Sequence, residues 1–122
     1  MAKKIAIVED DAAIAQMYLM KFEADGYDAQ VAPDGKQGLQ LIKTLKPDIV
    51  LLDLMMPEMT GDEVLKELRK TDWGKDIKVI ILTNMGEQEV TPEVRKLGVV
   101  SVVLKADMTP QQVSDLVKQS LS

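Results

Sequence analysis

Glu9 and Asp10, Asp53, Thr83 and Lys105 share one property. Each closes a short, mainly apolar run: Ile5–Val8, Ile49–Leu52, Lys78–Leu82 and Val99–Leu104 respectively. If the first and third runs are neighbouring strands, three carboxylates converge in one cleft. Like charges at such range raise one another's pKa and resist joint ionisation. Two remedies exist. One is a divalent cation held by oxygen with room for water, which suits Mg²⁺; the other is an ammonium, which Lys105 could supply. Asp53 stands out, because an acid closing a fully apolar strand is costly unless its role retains it. Taken singly, Asp10 or Asp11 reads as a helix cap, Thr83 as an ordinary strand end and Lys105 as a solvated lysine. Their joint placement makes them candidates.

Composition narrows the chemistry further. The 122 residues include no His and no Cys, so His- or Cys-ligated metals, thiolate nucleophiles, disulfides and a phosphohistidine carrier are excluded. With 15 basic against 20 acidic residues, the net charge is -5, the opposite of a nucleic-acid footprint. The first apolar run stops at Glu9, too early for a signal peptide, and no apolar stretch approaches a membrane span. A soluble, cytoplasmic protein is predicted. Apolar residues at 46% and a length of 122 fit one globular domain over residues 1–122.

The elements that must position these residues alternate regularly. Ile5–Val8 reads as a strand, followed by a helix with Ile14, Met17, Tyr18 and Phe22 on one face. Tyr27–Val31 reads as a second strand. Asp34 and Gln37 open a second helix, which must end before Pro47. Ile49–Leu52 is apolar on both faces, as a central parallel strand should be. Thr60 and Glu63 form the pattern of a capping box for the third helix. Lys78–Leu82 is the fourth strand, Thr91-Pro92 shortens or delays the fourth helix, and Val99–Leu104 is the fifth strand. Thr109-Pro110-Gln111-Gln112 opens the last helix. This is an α/β pattern: a doubly wound, five-stranded parallel sheet. Ligands of such sheets bind beyond the carboxyl ends of the strands.

The runs Ile7-Val8-Glu9-Asp10-Asp11 and Pro47–Gly61, with Thr83, Gly98 and Lys105, resemble the response-regulator receiver domain of two-component signalling. The similarity spans essentially the whole chain. It implies a flavodoxin-like (βα)5 fold with strand order 2-1-3-4-5. It further implies that Asp53 accepts a phosphoryl group from the phosphohistidine of a histidine kinase or phosphotransfer protein. Asp10 and Asp53 would ligate Mg²⁺ directly, Glu9 through water, and Met55 through its backbone carbonyl. Thr83 and Lys105 would contact the phosphoryl oxygens.

Four departures bear on the output switch. Ala106 replaces the usual proline after the lysine, so Lys105–Ala106 is expected to be trans or strained. Val102 replaces an aromatic, Asn84 crowds the site, and Pro92 curtails the fourth helix. Met55 and Met85 flank the path of hydrolytic water and cannot hold it, which predicts slow autodephosphorylation. Met55, Met56, Met59, Met85 and Met108 suggest a partner-docking rim. Leu19 and Met20 suggest a kinase-docking or homodimer patch. A Mg²⁺-dependent aspartyl-phosphate phosphatase is disfavoured by Met55 where a second Asp is needed. A nucleotide binder lacks a Gly-rich loop. An unphosphorylated pseudo-receiver is the remaining alternative. The expected partners are a histidine kinase or phosphotransfer protein and a downstream protein, with no nucleic acid and no membrane, in a stand-alone chain.

Overall fold

The computed structural model describes residues 2–56, 58–84 and 90–122. Among them, five strands alternate with five helices: β1 (Lys4–Val8), α1 (Ala12–Ala24), β2 (Asp28–Ala32), α2 (Gly35–Leu45), β3 (Ile49–Asp53), α3 (Gly61–Arg69), β4 (Lys78–Thr83), α4 (Pro92–Lys96), β5 (Ser101–Leu104) and α5 (Pro110–Leu121). All strand pairs are parallel and the order is β2-β1-β3-β4-β5, the doubly wound arrangement expected. β3 lies in the middle and is buried at every residue, which is why its sequence is apolar without alternation. No helix among the described residues is long and apolar enough to cross a membrane.

The sheet separates two apolar clusters. On one side Val8, Val50, Leu52, Val79 and Ile81 pack against Ile42, Val64, Leu68 and Val94 of α2, α3 and α4. On the other, Ile5, Ile7, Leu51, Ile80, Leu82 and Val103 pack against Tyr18 and Phe22 of α1 and Val113 and Val117 of α5. Tyr18 and Phe22 stack with centroids 6.2 Å apart.

Several boundaries and contacts differ from expectation. Met17 is 40% exposed, and Ala15 takes its place beside Tyr18 and Phe22. Leu19, expected at the surface, packs against the second cluster. β2 starts at Asp28, because the Tyr27 N–H still bonds Phe22 O at 2.9 Å. β5 starts at Ser101; Val100 bonds Val79 O but is itself 44% exposed. Thr60 is the N-cap of α3 without a side-chain cap bond. Its hydroxyl donates instead to Asp62 Oδ1 at 2.5 Å, a charged acceptor that outcompetes the cap geometry. α5 does carry its box, through Thr109 and Gln112. α4 has five residues, short as the Thr-Pro pair predicts, and is capped by Thr91 with Pro92 in its first turn.

α2 ends on Lys46, which is left-handed (φ 50°, ψ 63°) and donates its N–H to Ile42 O. A residue with a Cβ is strained there, and glycine is not. Lys46→Gly is therefore expected to raise stability by about 0.5–1 kcal/mol. Urea denaturation would show this, and an unchanged or lower midpoint would contradict the strain.

Candidate functional site

Strand alternation decides which side chains meet at the carboxyl edge of the sheet. Successive residues of a strand face opposite sides. Ile5 and Ile7 belong to the α1/α5 cluster, as do Ile49, Leu51 and Val103. Two residues beyond each series come Glu9, Asp53 and Lys105, so all three emerge on that same side. β3 pairs with β1 and with β4, which sets Asp53 between the other strand ends. Thr83 follows Ile81, a member of the opposite cluster. It accordingly lines a cleft of about 180 Å³ with Leu54, Met55, Thr60, Asp62, Thr91 and Val94. Its carbonyl accepts the Lys105 N–H at 2.9 Å.

The charged groups are tightly placed. Glu9 and Asp53 are 1% and 3% exposed. Lys105 Nζ donates to Glu9 Oε1 at 2.9 Å. It lies 2.7 Å from Glu9 Oε2 and 3.2 Å from Asp53 Oδ2. Carboxylate oxygens of Glu9, Asp10 and Asp53 all lie within 4.8 Å of one another. Asp10 is exposed and opens the cluster to solvent. Met55 donates its N–H to Asp53 Oδ1 at 3.2 Å, and its side chain is 59% exposed.

These neighbours shift the titration of the groups. Burial raises the pKa of Asp53 most, then the Glu9 charge, then a hydrogen bond with Asp10. Lys105 and the Met55 N–H oppose them, and the carboxyl ends at about 7. Burial works against the charge on Lys105, but Glu9 and Asp53 outweigh it and its pKa is raised. Tyr18, beneath the site, is raised by burial and then by Glu9.

The donor set suits a hard cation. Three carboxylates supply oxygen alone, and their mutual repulsion is what a bound cation relieves. Glu9 Oε2 is buried and, despite its short distance to Lys105, has no hydrogen-bond partner of acceptable geometry. That leaves a lone pair for a further ligand or water.

The residues singled out in the sequence, Met85 apart, each have a definite place. Glu9, Asp10, Asp53 and Lys105 are together, with the Met55 backbone against Asp53. Thr83 is at the neighbouring strand end and Asn84 is exposed beyond it. Met85 lies outside the described residues. The Lys105–Ala106 peptide is trans, and Val102 packs against the first cluster. Of the methionines read as a rim, Met56 is buried at 7% exposed, Met59 and Met108 are half-buried against the two clusters, and Met55 is exposed. Sequence reasoning did not find Tyr18 as a neighbour of the charges, nor the close approach of Met59 to Gly35. For Tyr18 a signal existed, since it lies on the helix that follows Glu9-Asp10.

A doubly wound sheet carrying an acidic cluster and a lysine at its strand ends defines a class, and the comparisons name it. The profile of the response regulator receiver domain matches residues 5–118, and the chain belongs to that family. It is 35% identical over 121 residues to sporulation initiation phosphotransferase F of Bacillus subtilis, covering 99% of this chain and 95% of that protein. It is 40% identical over 84 residues to the DNA-binding dual master transcriptional regulator RpaA of Synechocystis sp., covering 69% of this chain and 35% of that protein. The chain thus matches only about a third of the length of that longer relative. The receiver domain of the sensor histidine kinase PA1611 from Pseudomonas aeruginosa shares the fold, with a TM-score of 0.88 at 19% identity over 99% of this chain and 98% of that one. That structure holds a magnesium ion coordinated in its active-site cleft.

The raised Asp53 pKa has a consequence for stability without metal. The native carboxyl holds its proton to about pH 7, and the unfolded one releases it near 3.8. Between these values the folded state binds more protons, so this group makes stability fall as pH rises. Asp53→Asn removes that loss and is expected to stabilise the metal-free protein above pH 7 by roughly 2–4 kcal/mol. Below pH 4 the gain should vanish. Urea titrations of both proteins across this range measure it, and equal stabilities above pH 7 would rule out the buried repulsion.

Proposed function

We propose that this chain is a phosphoacceptor in two-component signalling, a single receiver unit over residues 1–122 that takes a phosphoryl group onto Asp53. The donor is a phosphohistidine on a histidine kinase or phosphotransfer protein. One observation carries the reading: Glu9, Asp10 and Asp53 converge within 4.8 Å, with Lys105 Nζ 3.2 Å from the Asp53 carboxylate. A structural ion pair needs one acid beside an ammonium, not three acids converging on it.

The chemistry follows from those positions. An Asp53 oxygen attacks phosphorus in line and the imidazole leaves. Positioning and charge neutralisation supply most of the catalysis in such transfers. Asp10 and Asp53 would hold Mg²⁺ directly, Glu9 through water and Met55 through its carbonyl. Bound there, the ion offsets charge on the carboxylates and phosphoryl oxygens. The Lys105 ammonium neutralises the phosphoryl from the other side. Thr83, facing the opposite cluster, donates its hydroxyl to a phosphoryl oxygen only once Asp53 is modified. Such a differential contact is what shifts a conformational equilibrium and hence partner binding.

With Mg²⁺ and a small phosphodonor, mass spectrometry should detect one added phosphoryl on the wild type and none on Asp53→Asn. Modification of the Asn variant to the same extent would displace Asp53 from its role.

Met55 is exposed beside Asp53 and cannot hydrogen-bond an attacking water. The phosphorylated protein is therefore expected to persist for minutes or longer, and Met55→Asn to shorten that lifetime. Loss of the phosphoryl within seconds from the purified wild type would contradict this.

A further inference from the structure

The loop between β3 and α3 passes directly over the first residue of α2. A Cβ built on Gly35 would lie 2.7 Å from the Met59 carbonyl carbon and 2.8 Å from Met59 Cβ, and closer still to the carbonyl oxygen. Two of these three atoms are backbone, so no rotamer change relieves the overlap. Nor does α2 have room to retreat. A Cβ on Gly38 would come 2.5 Å from Val8 Cγ1, which shows the helix already seated on β1. Ile42, further along, is fully buried.

The described residues of this segment are held as well. The Gly61 N–H donates to Leu54 O at 3.0 Å, closing the segment on itself. Glu58 turns it with φ at 70°, a strained value for a residue with a side chain. A Cβ on Gly61 would lie 2.8 Å from Leu54 Cα and 3.0 Å from the Asp53 carbonyl carbon. A push at Met59 is therefore passed to Leu54 and Asp53. At the near end of the same loop, Met55 N–H binds Asp53 Oδ1.

We propose that Gly35 is a positioning residue for the metal site: by lacking a side chain it sets how low the β3–α3 loop lies, and so where the Asp53 carboxylate and Met55 backbone stand. This inference rests on the Mg²⁺ reading above. Gly35 touches no ligand; it acts through Met59.

The test is Mg²⁺ titrated calorimetrically into the full chain, with thermal unfolding of the same metal-free samples. Gly35→Ala is expected to weaken Mg²⁺ binding about tenfold, the usual scale for support of metal ligands. Ile42→Val, on the same helix but in the core, should lower the melting temperature and leave Mg²⁺ affinity unchanged. Wild-type affinity in Gly35→Ala would overturn the inference alone. A wild type that takes up no Mg²⁺ would overturn the metal reading and this role with it. Should Gly35→Ala not fold, Asp34→Ala and Asp34→Ser decide. Asp34 caps the first turn of α2 by accepting from the Gln37 N–H at 2.8 Å. Both variants remove the charge, and only Ala removes the cap. Weaker Mg²⁺ binding by Ala than by Ser supports the role, and equal affinities overturn it.

Discussion

Everything at the carboxyl edge of this sheet is governed by the crowding of acids around one buried carboxylate. Two unit charges 4 Å apart interact by about 4 kcal/mol at an effective dielectric of about 20. Fully ionised, Glu9, Asp10 and Asp53 carry three negative charges against the single positive charge of Lys105. The cluster is thus under-neutralised by construction, and burial first, then the Glu9 charge, makes Asp53 hold a proton to about pH 7. That imbalance is what a bound cation would relieve. It also explains why Lys105 is held by three carboxylate oxygens at once rather than extending into solvent.

The fold creates the crowding through two simple rules. Strand order puts β3 between β1 and β4, and alternation sends Glu9, Asp53 and Lys105 to one side of the sheet and Thr83 to the other. Lys105 therefore reaches the acids along the α1/α5 face, across the end of β4. Thr83 faces the cleft beside α3 and α4. The ammonium thus reaches the central carboxylate from one side, while Thr83 lines the cleft on the other. A register slip of one residue in β5 would send Lys105 to the wrong face and leave the acids unpaired.

Which of these features the amino-acid sequence discloses depends on how local their causes are. Asp53 is conspicuous because a charge closing four apolar residues has few structural reasons to exist. The caps at Asp34 and Thr109 are equally local: each needs only its own side chain and a backbone N–H three residues on. Met17 was misplaced for a different reason. α1 carries Ile14, Met17, Tyr18, Leu19, Met20 and Phe22, apolar nearly all round, so period alone cannot choose the buried stripe. Thr60 failed as a side-chain cap because Asp62 offers its hydroxyl a better acceptor. Gly35 and Met59 are 24 positions apart, and their contact exists only once α2 and the β3–α3 loop are stacked. No pattern within either segment announces it.

The α4 side of the site shows the same dependence on distant contacts. A helix of five residues is far too short to be stable by itself. Thr91 caps one end, and Arg69 of α3 holds the other. Its guanidinium donates to Leu97 O at 2.6 Å, Gly98 O at 2.8 Å and Gly74 O at 2.8 Å. Among the described residues no carboxylate lies within ion-pair distance of it, and burial lowers its pKa. The Asp76 charge favours its ionised form from further off, and a half-buried cation whose hydrogen bonds go to carbonyls needs those carbonyls fixed. Gly98, left-handed at φ 81°, supplies one by turning the chain from α4 into β5. The wall of the Thr83 cleft that α4 provides through Thr91 and Val94 is thus built from α3.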